Sequence, residues 1–289
     1  MRRFLYNKCV ELTISLFVIF LICYLPFTMD KTATDAEFTY TIKDTISQLL
    51  NPNQMMYFSK NTNAERPLFP VIWEKYIYTM ELLTTGFFIA LVAAVGLVFL
   101  YTILSEKMQR VGKAILKMME SFPDLMVVLI LQLSVMQLFR LTGFEITNLY
   151  AFGDERVYVI PLVSLTVIPA IMIYKMMILS LDEEFEQRYV EYARAKGIGM
   201  RTILFKHMFR NIFLNILNHS KTILLFMFST LFVVEGLSNI NGFMTFIIND
   251  AVIEPGILIL WVLMLFIPFY VIFTIFEYYI GKTTGVFTS

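Results

Sequence analysis

Charge is scarce in this 289-residue chain: Asp, Glu, Lys and Arg make up 16%, with 23 basic residues against 23 acidic. A balanced and sparse charge of this kind leaves no basic domain with which to hold nucleic acid. Cysteine is limited to Cys9 and Cys23, both in or beside the first apolar block, which excludes a disulfide framework and any CxxC metal pattern. Histidine is limited to His207 and His219, with no carboxylate cluster joining them, so no metal site is expected. Ser, His and Asp fall into no recognisable catalytic arrangement. Gly281-Lys282-Thr283 ends like a phosphate-binding loop, yet Phe276 occupies the position of its first glycine and no strand precedes it. No cofactor is expected.

What the chain has instead is apolar surface. Hydrophobic residues make up 58% and the mean hydropathy is +0.69, beyond the roughly 45–50% apolar content of globular chains. The apolar residues fall into six blocks, about 9–27, 82–104, 122–139, 158–178, 212–234 and 257–280. Each is long enough to cross the hydrocarbon core of a bilayer as a helix. The first, preceded by Arg2, Arg3 and Lys8, resembles a signal peptide, but its length and the lack of a small-x-small cleavage site read as an uncleaved transmembrane helix. Residues 28–80 form a polar loop broken by Asn51-Pro52-Asn53 and Asn61-Thr62-Asn63, with weakly amphipathic segments IKDTISQLL and VIWEKYIYTM. Pro123 opens the third block, where the first helical turn tolerates proline, while Pro161 and Pro169 bend the fourth.

Basic residues set the orientation. Lys107, Arg110, Lys113 and Lys117 follow the second block, and Arg188, Arg194, Lys196, Arg201, Lys206 and Arg210 follow the fourth. With the N-terminus inside, these segments and Lys282 are cytoplasmic, as the positive-inside rule prefers. Both termini are then cytoplasmic. The expected fold is an all-α, six-helix polytopic membrane protein, divided into residues 1–81 (first helix and outer loop) and 82–289 (five-helix core).

The most informative run is Glu184–Asn211, EFEQRYVEYARAKGIGMRTILFKHMFRN, which is charged and helix-periodic between apolar blocks. As one helix it aligns Phe185, Tyr189 and Tyr192 in an aromatic stripe. Gly197 and Gly199 then interrupt it, because glycine reaches the backbone angles that end helices. In a second helix Leu204, Phe205, Met208, Phe209 and Ile212 line one face, opposite Lys206, His207 and Arg210.

At these residues the chain resembles the inner-membrane permease subunits of ABC importers, whose hallmark is a cytoplasmic Glu-Ala-Ala loop followed three residues later by Gly. Glu191, Ala193 and Gly197 match that motif, with Tyr192 in place of its first Ala. The wider run is similar to the oligopeptide/dipeptide/nickel branch, where YVRTARAKGL…RHALRN is typical. Tyr189, Val190, Ala193, Arg194, Ala195, Lys196, Gly197, His207, Arg210 and Asn211 fit it. The chain departs from the branch at Leu25-Pro26-Phe27-Thr28, where Leu-Pro-Gly-Asp-Pro is usual, and at Asn215, where Pro is common. In the Glu…Pro-Gly-x-Gly segment after the fifth helix Glu235 and Gly242 match, but Asn241 and Met244 do not.

The resemblance implies a type I importer permease in a bacterial cytoplasmic membrane, working beside a second permease subunit, two cytoplasmic ATP-binding subunits and an extracytoplasmic solute-binding protein. It implies no ATP hydrolysis on this chain. Energy would enter through a coupling helix, with Tyr189, Glu191, Ala193, Arg194, Ala195, Lys196 and Gly197 at the contact and Ala193 and Ala195 as close-approach positions. The bland counterpart is an amphipathic loop helix on the lipid surface. Lys221, beside Asn218 in the fifth block, is either a pathway residue or a lysine snorkelling to the interface. Glu235 either faces a vestibule or caps the interface. Peptides, nickel or another metal chelate, and opine-like amino acids all fit as cargo. A membrane-embedded enzyme and a structural membrane protein are the rival classes.

Overall fold

A computed structural model describes residues 2–29, 42–119, 123–142, 156–251 and 254–284. Ser121 and Phe122, most of the polar connection after Leu141, the charges at Asp30, Lys31, Asp35 and Glu37, and the side chains of Arg2, Arg3, Lys117, Arg201 and Asn218 lie outside them. Long helices dominate: α1 (Arg2–Met29), α3 (Leu68–Ile103), α5 (Asp124–Thr142), α6 (Val159–Phe185), α9 (Phe209–Leu237) and α11 (Pro255–Thr284). The shorter α2 (Ile42–Leu50), α4 (Glu106–Met119), α7 (Arg188–Ala195), α8 (Met200–Ile203) and α10 (Phe243–Asn249) lie between them, with strands β1 (Met56–Ser59) and β2 (Ala64–Pro67). Among the described residues five helical segments are long and apolar enough to cross a membrane: Phe4–Phe27, Leu68–Ile103, Val159–Phe185, His219–Leu237 and Pro255–Tyr279. This is the pattern of a multi-pass membrane protein. The expected third span coincides with α5, whose apolar stretch Met126–Thr142 is shorter.

The chain forms two compact units, residues 1–76 with 245–289, and residues 77–244. In the first, α1 packs along α11. Lys8 pairs with Glu277 at 2.6 Å, and the Tyr270 hydroxyl donates to the Lys8 carbonyl at 2.6 Å. The polar loop also holds a two-stranded antiparallel hairpin, pairing Tyr57 with Arg66, beyond the amphipathic segments its sequence marks. Its turn contains Asn63 at φ 48°, a left-handed angle that asparagine tolerates. Tyr57 and Ser59 point inward, and the Tyr57 ring meets Phe246 edge-on at 5.2 Å. The Lys60 amide and ammonium donate to the Asp250 and Ile248 carbonyls at 2.8 and 2.9 Å, tying the residue after β1 to the end of α10.

In the second unit α6 and α9 form the central pair, and Ile173, Met177 and Leu181 of α6 and Ile216, Ile223 and Met227 of α9 are buried. Pro161 falls in the first turn of α6, so Pro169 alone interrupts that helix internally. This corrects the expectation of two bending prolines, since a proline at a helix start removes no hydrogen bond.

Candidate functional site

The Glu184–Asn211 run is not one helix broken by glycine but a chain of short elements. Gln187 adopts an extended conformation (φ −73°, ψ 138°) between α6 and α7. Phe185 therefore ends one helix while Tyr189 and Tyr192 belong to the next, and the expected single stripe of the three is corrected. In α7 Val190 and Ala193 are the buried positions, one turn apart on the inner face. Glu191, Tyr192, Arg194, Ala195 and Lys196 are exposed. Of the two alanines read as close-approach positions, Ala195 is open and Ala193 is occupied by the protein's own packing.

Two polar ties fix α7. The Tyr189 hydroxyl donates to the Glu184 carboxylate at the end of α6. The Asn211 side chain donates to the same oxygen at 3.2 Å from the first turn of α9. Partial burial, followed by the neighbouring carboxylate, pushes the Tyr189 phenol up to about 12, so it remains a donor throughout the neutral range. Arg194 stacks 5.9 Å from the Phe185 ring centre and reaches the Met200 sulfur at 3.5 Å. Lys196 sits 4.9 Å over Tyr192.

The helix ends as the glycine predicted. Gly197 has φ +77°, its N–H donates to the Arg194 carbonyl at 2.9 Å, and the Ile198 N–H donates to the Ala193 carbonyl at 3.1 Å. This pair of bonds is the Schellman motif, with glycine at the left-handed position. The Gly199 carbonyl then accepts from Thr202 and Ile203 at 2.9 and 3.2 Å, starting α8. A π-helical turn over Leu204–Met208 leads into α9 and alters the expected face. Leu204, Met208 and Ile212 are buried, whereas Phe205 is 51% exposed, because the wider turn shifts the residues that follow. Asn215 donates to the Ser180 hydroxyl at 2.6 Å and links α9 to α6. Beside the loop a cleft of about 840 Å³ opens among Phe99, Tyr101, Asp182, Phe185 and Phe205.

The three residues read as pathway candidates occupy different settings. Lys221 is exposed near the start of the apolar segment His219–Leu237, where a long side chain reaches an interface. Asn218 has a described backbone only. Glu235 is fully buried. It accepts from the Thr79 hydroxyl at 2.5 Å and from the Met244 N–H at 3.0 Å, while Thr79 in turn accepts from the Phe243 N–H at 2.9 Å. The carboxylate and the Thr79 hydroxyl thus each satisfy one donor that the first turn of α10 leaves unpaired. Its own backbone carbonyl accepts from Ile240 at 2.8 Å in a second Schellman turn, with Asn239 at φ 51°. Gly242 lies so close to the carboxylate that a Cβ there would overlap it. Thr79 is the partner of Glu235 that sequence reasoning missed, since a lone threonine in the weakly amphipathic segment VIWEKYIYTM carries no signal of it.

In the other unit a polar cavity of about 410 Å³ is lined by Gln48, Asn51, Gln54, Tyr57, Glu65 and Glu254. Burial, then the Glu65 charge, pushes the Glu254 carboxyl above its ordinary range. Neither a protein-family model nor a curated protein matches the chain.

Proposed function

We propose that the chain is the transmembrane permease subunit of an ATP-driven importer, carrying peptides or a related small solute such as nickel or a metal chelate inward by alternating access. One observation carries the reading. A two-turn helix, α7, hangs between two long apolar helices, fixed from within by Val190 and Ala193 and by the Tyr189–Glu184–Asn211 tie. It offers Glu191, Tyr192, Ala195 and Lys196 outward. Such an element has the form needed for contact with a separate motor: exposed aromatic and charged anchors on a backbone rigid enough to transmit a push. The match of these residues to the coupling loop of peptide and nickel permeases supplies the rest. Two cytoplasmic ATP-binding subunits would close against paired loops and rock the helices about a central pathway. A second permease subunit and an extracytoplasmic solute-binding protein complete the assembly.

Tyr192→Ala and Glu191→Lys alter exposed side chains without touching the buried anchors. Each is expected to insert normally, to weaken retention of a co-purifying ATPase by about tenfold or more, and to abolish uptake. Wild-type ATPase retention and uptake in both variants would remove the basis for the assignment.

A further inference from the structure

The helix α4 has a face that the transport reading leaves unused. Met108, Val111, Ile115 and Met118 follow one another at i, i+3, i+7 and i+10, a single stripe along the helix, and each is more than half exposed. The opposite side is moored to the protein. Gln109 donates to the carbonyls of Tyr101 and Leu104 at 3.1 and 3.0 Å, satisfying acceptors left open at the end of α3. Lys113 pairs with Asp182 at 2.8 Å and lies 5.7 Å over the Tyr101 ring. Continuing outward along the axis of α3 would carry Lys113 on the order of 18 Å beyond Tyr101. Because Lys113 instead sits over that ring, α4 folds back across the end of α3.

With α3 as a membrane span, that end is where the chain leaves the bilayer. α3 has 36 residues and spans about 54 Å, enough to cross a hydrocarbon core of about 30 Å, and only Leu104 and Ser105 separate it from α4. A stripe of four apolar side chains, held across the exit point of a spanning helix, meets the boundary between headgroups and acyl chains. Lys107 borders the stripe and Arg110 lies further round, and both are exposed. This basic margin complements anionic headgroups. It would oppose itself if a second copy of α4 covered the stripe. We infer that α4 is an interfacial helix that buries Met108, Val111, Ile115 and Met118 in the leaflet where α3 emerges and binds anionic lipid through Lys107. The inference stands apart from the transport reading and needs only that α3 crosses the membrane. Through Lys113–Asp182 the bound lipid would bear on the end of α6.

The test uses the full chain with Cys9 and Cys23 replaced by Ala, carrying a single environment-sensitive label at Ile115→Cys or Arg110→Cys. The protein is reconstituted into phosphatidylcholine bilayers with and without phosphatidylglycerol. The label at 115 is expected to be quenched by lipid spin-labelled at a shallow acyl carbon and shielded from aqueous iodide, with the reverse at 110. Equal iodide quenching at both positions, or a label at 115 shielded from both quenchers because protein covers it, overturns the interfacial placement. Lys107→Gln is expected to lower phosphatidylglycerol retained on purification about fivefold. Unchanged retention overturns the anionic-lipid assignment.

Discussion

Replacing Glu235 with alanine removes a carboxylate that is fully buried and bonded through both oxygens. The Met244 N–H then loses its acceptor at 3.0 Å, and the Thr79 hydroxyl loses its acceptor at 2.5 Å while still receiving the Phe243 N–H. Hydrogen bonds to a charged group contribute about 1.5–3 kcal/mol each, and a buried donor left unpaired carries its full desolvation penalty. Two such bonds together amount to about 3–6 kcal/mol for opening the first turn of α10. At about 1.4 kcal/mol per decade, amide protection at Phe243 and Met244 is expected to fall roughly 10²–10⁴-fold. Hydrogen exchange with mass spectrometry on the purified chain, following a peptide over 240–249, reads this directly. Glu235→Gln keeps one acceptor for Met244 but presents a donor to Thr79, so about 1–2 kcal/mol of loss is expected. Thr79→Val breaks the same relay from the other side. A double-mutant cycle with Glu235→Ala is expected to show coupling of about 1–3 kcal/mol. Exchange at the wild-type rate in Glu235→Ala, or additive losses in the cycle, would refute the clamp.

Two further perturbations separate kinds of constraint. Gly197→Ala meets open space and suffers only its φ of +77°, a penalty of about 1–2 kcal/mol. Gly242→Ala instead forces a Cβ into the Glu235 carboxylate and is expected to be more destabilising in thermal unfolding. Its added effect should vanish in the Glu235→Ala background, where the obstacle is absent. For Glu254, raised by burial and then by Glu65, the folded state holds the proton more tightly than the unfolded chain. Its contribution is present below the ordinary glutamate range and lost as pH rises through the raised value. Thermal stability followed upward from the carboxylate range should fall across that window in wild type and flatten in Glu254→Gln, and identical profiles would contradict the assignment.

What was legible in the sequence followed from local chemistry. Apolar blocks located the long helices because a chain in hydrocarbon has few ways to satisfy its backbone. Gly197 announced a helix end because its left-handed angle is one that glycine reaches without strain. The extended Gln187 is invisible in the sequence because no glycine or proline marks it and the helical period runs on through it, so the period alone aligns Phe185 and Tyr189. The hairpin at Met56–Pro67 offered a turn signal in Asn61 and Asn63, but its inward residues Tyr57 and Ser59 show only once Phe246 supplies the surface they face. Glu184, Tyr189 and Asn211 fit the same rule: Asn211 stands 27 residues from Glu184, and nothing local indicates that it and Tyr189 donate to one carboxylate oxygen.

Glu235 gives the sharpest case. A carboxylate in an apolar helix reads by default as part of a pathway, because burying it uncompensated is so unfavourable. The compensation here comes from Thr79, 156 residues away, and from an amide nine residues ahead that is oriented only after the Asn239 turn closes. Sequence reports the penalty of burying the charge, whereas the donors that offset it exist only in the folded chain. Satisfaction of both oxygens, by the Thr79 hydroxyl and by the Met244 amide, makes Glu235 a clamp on the first turn of α10 in this structure.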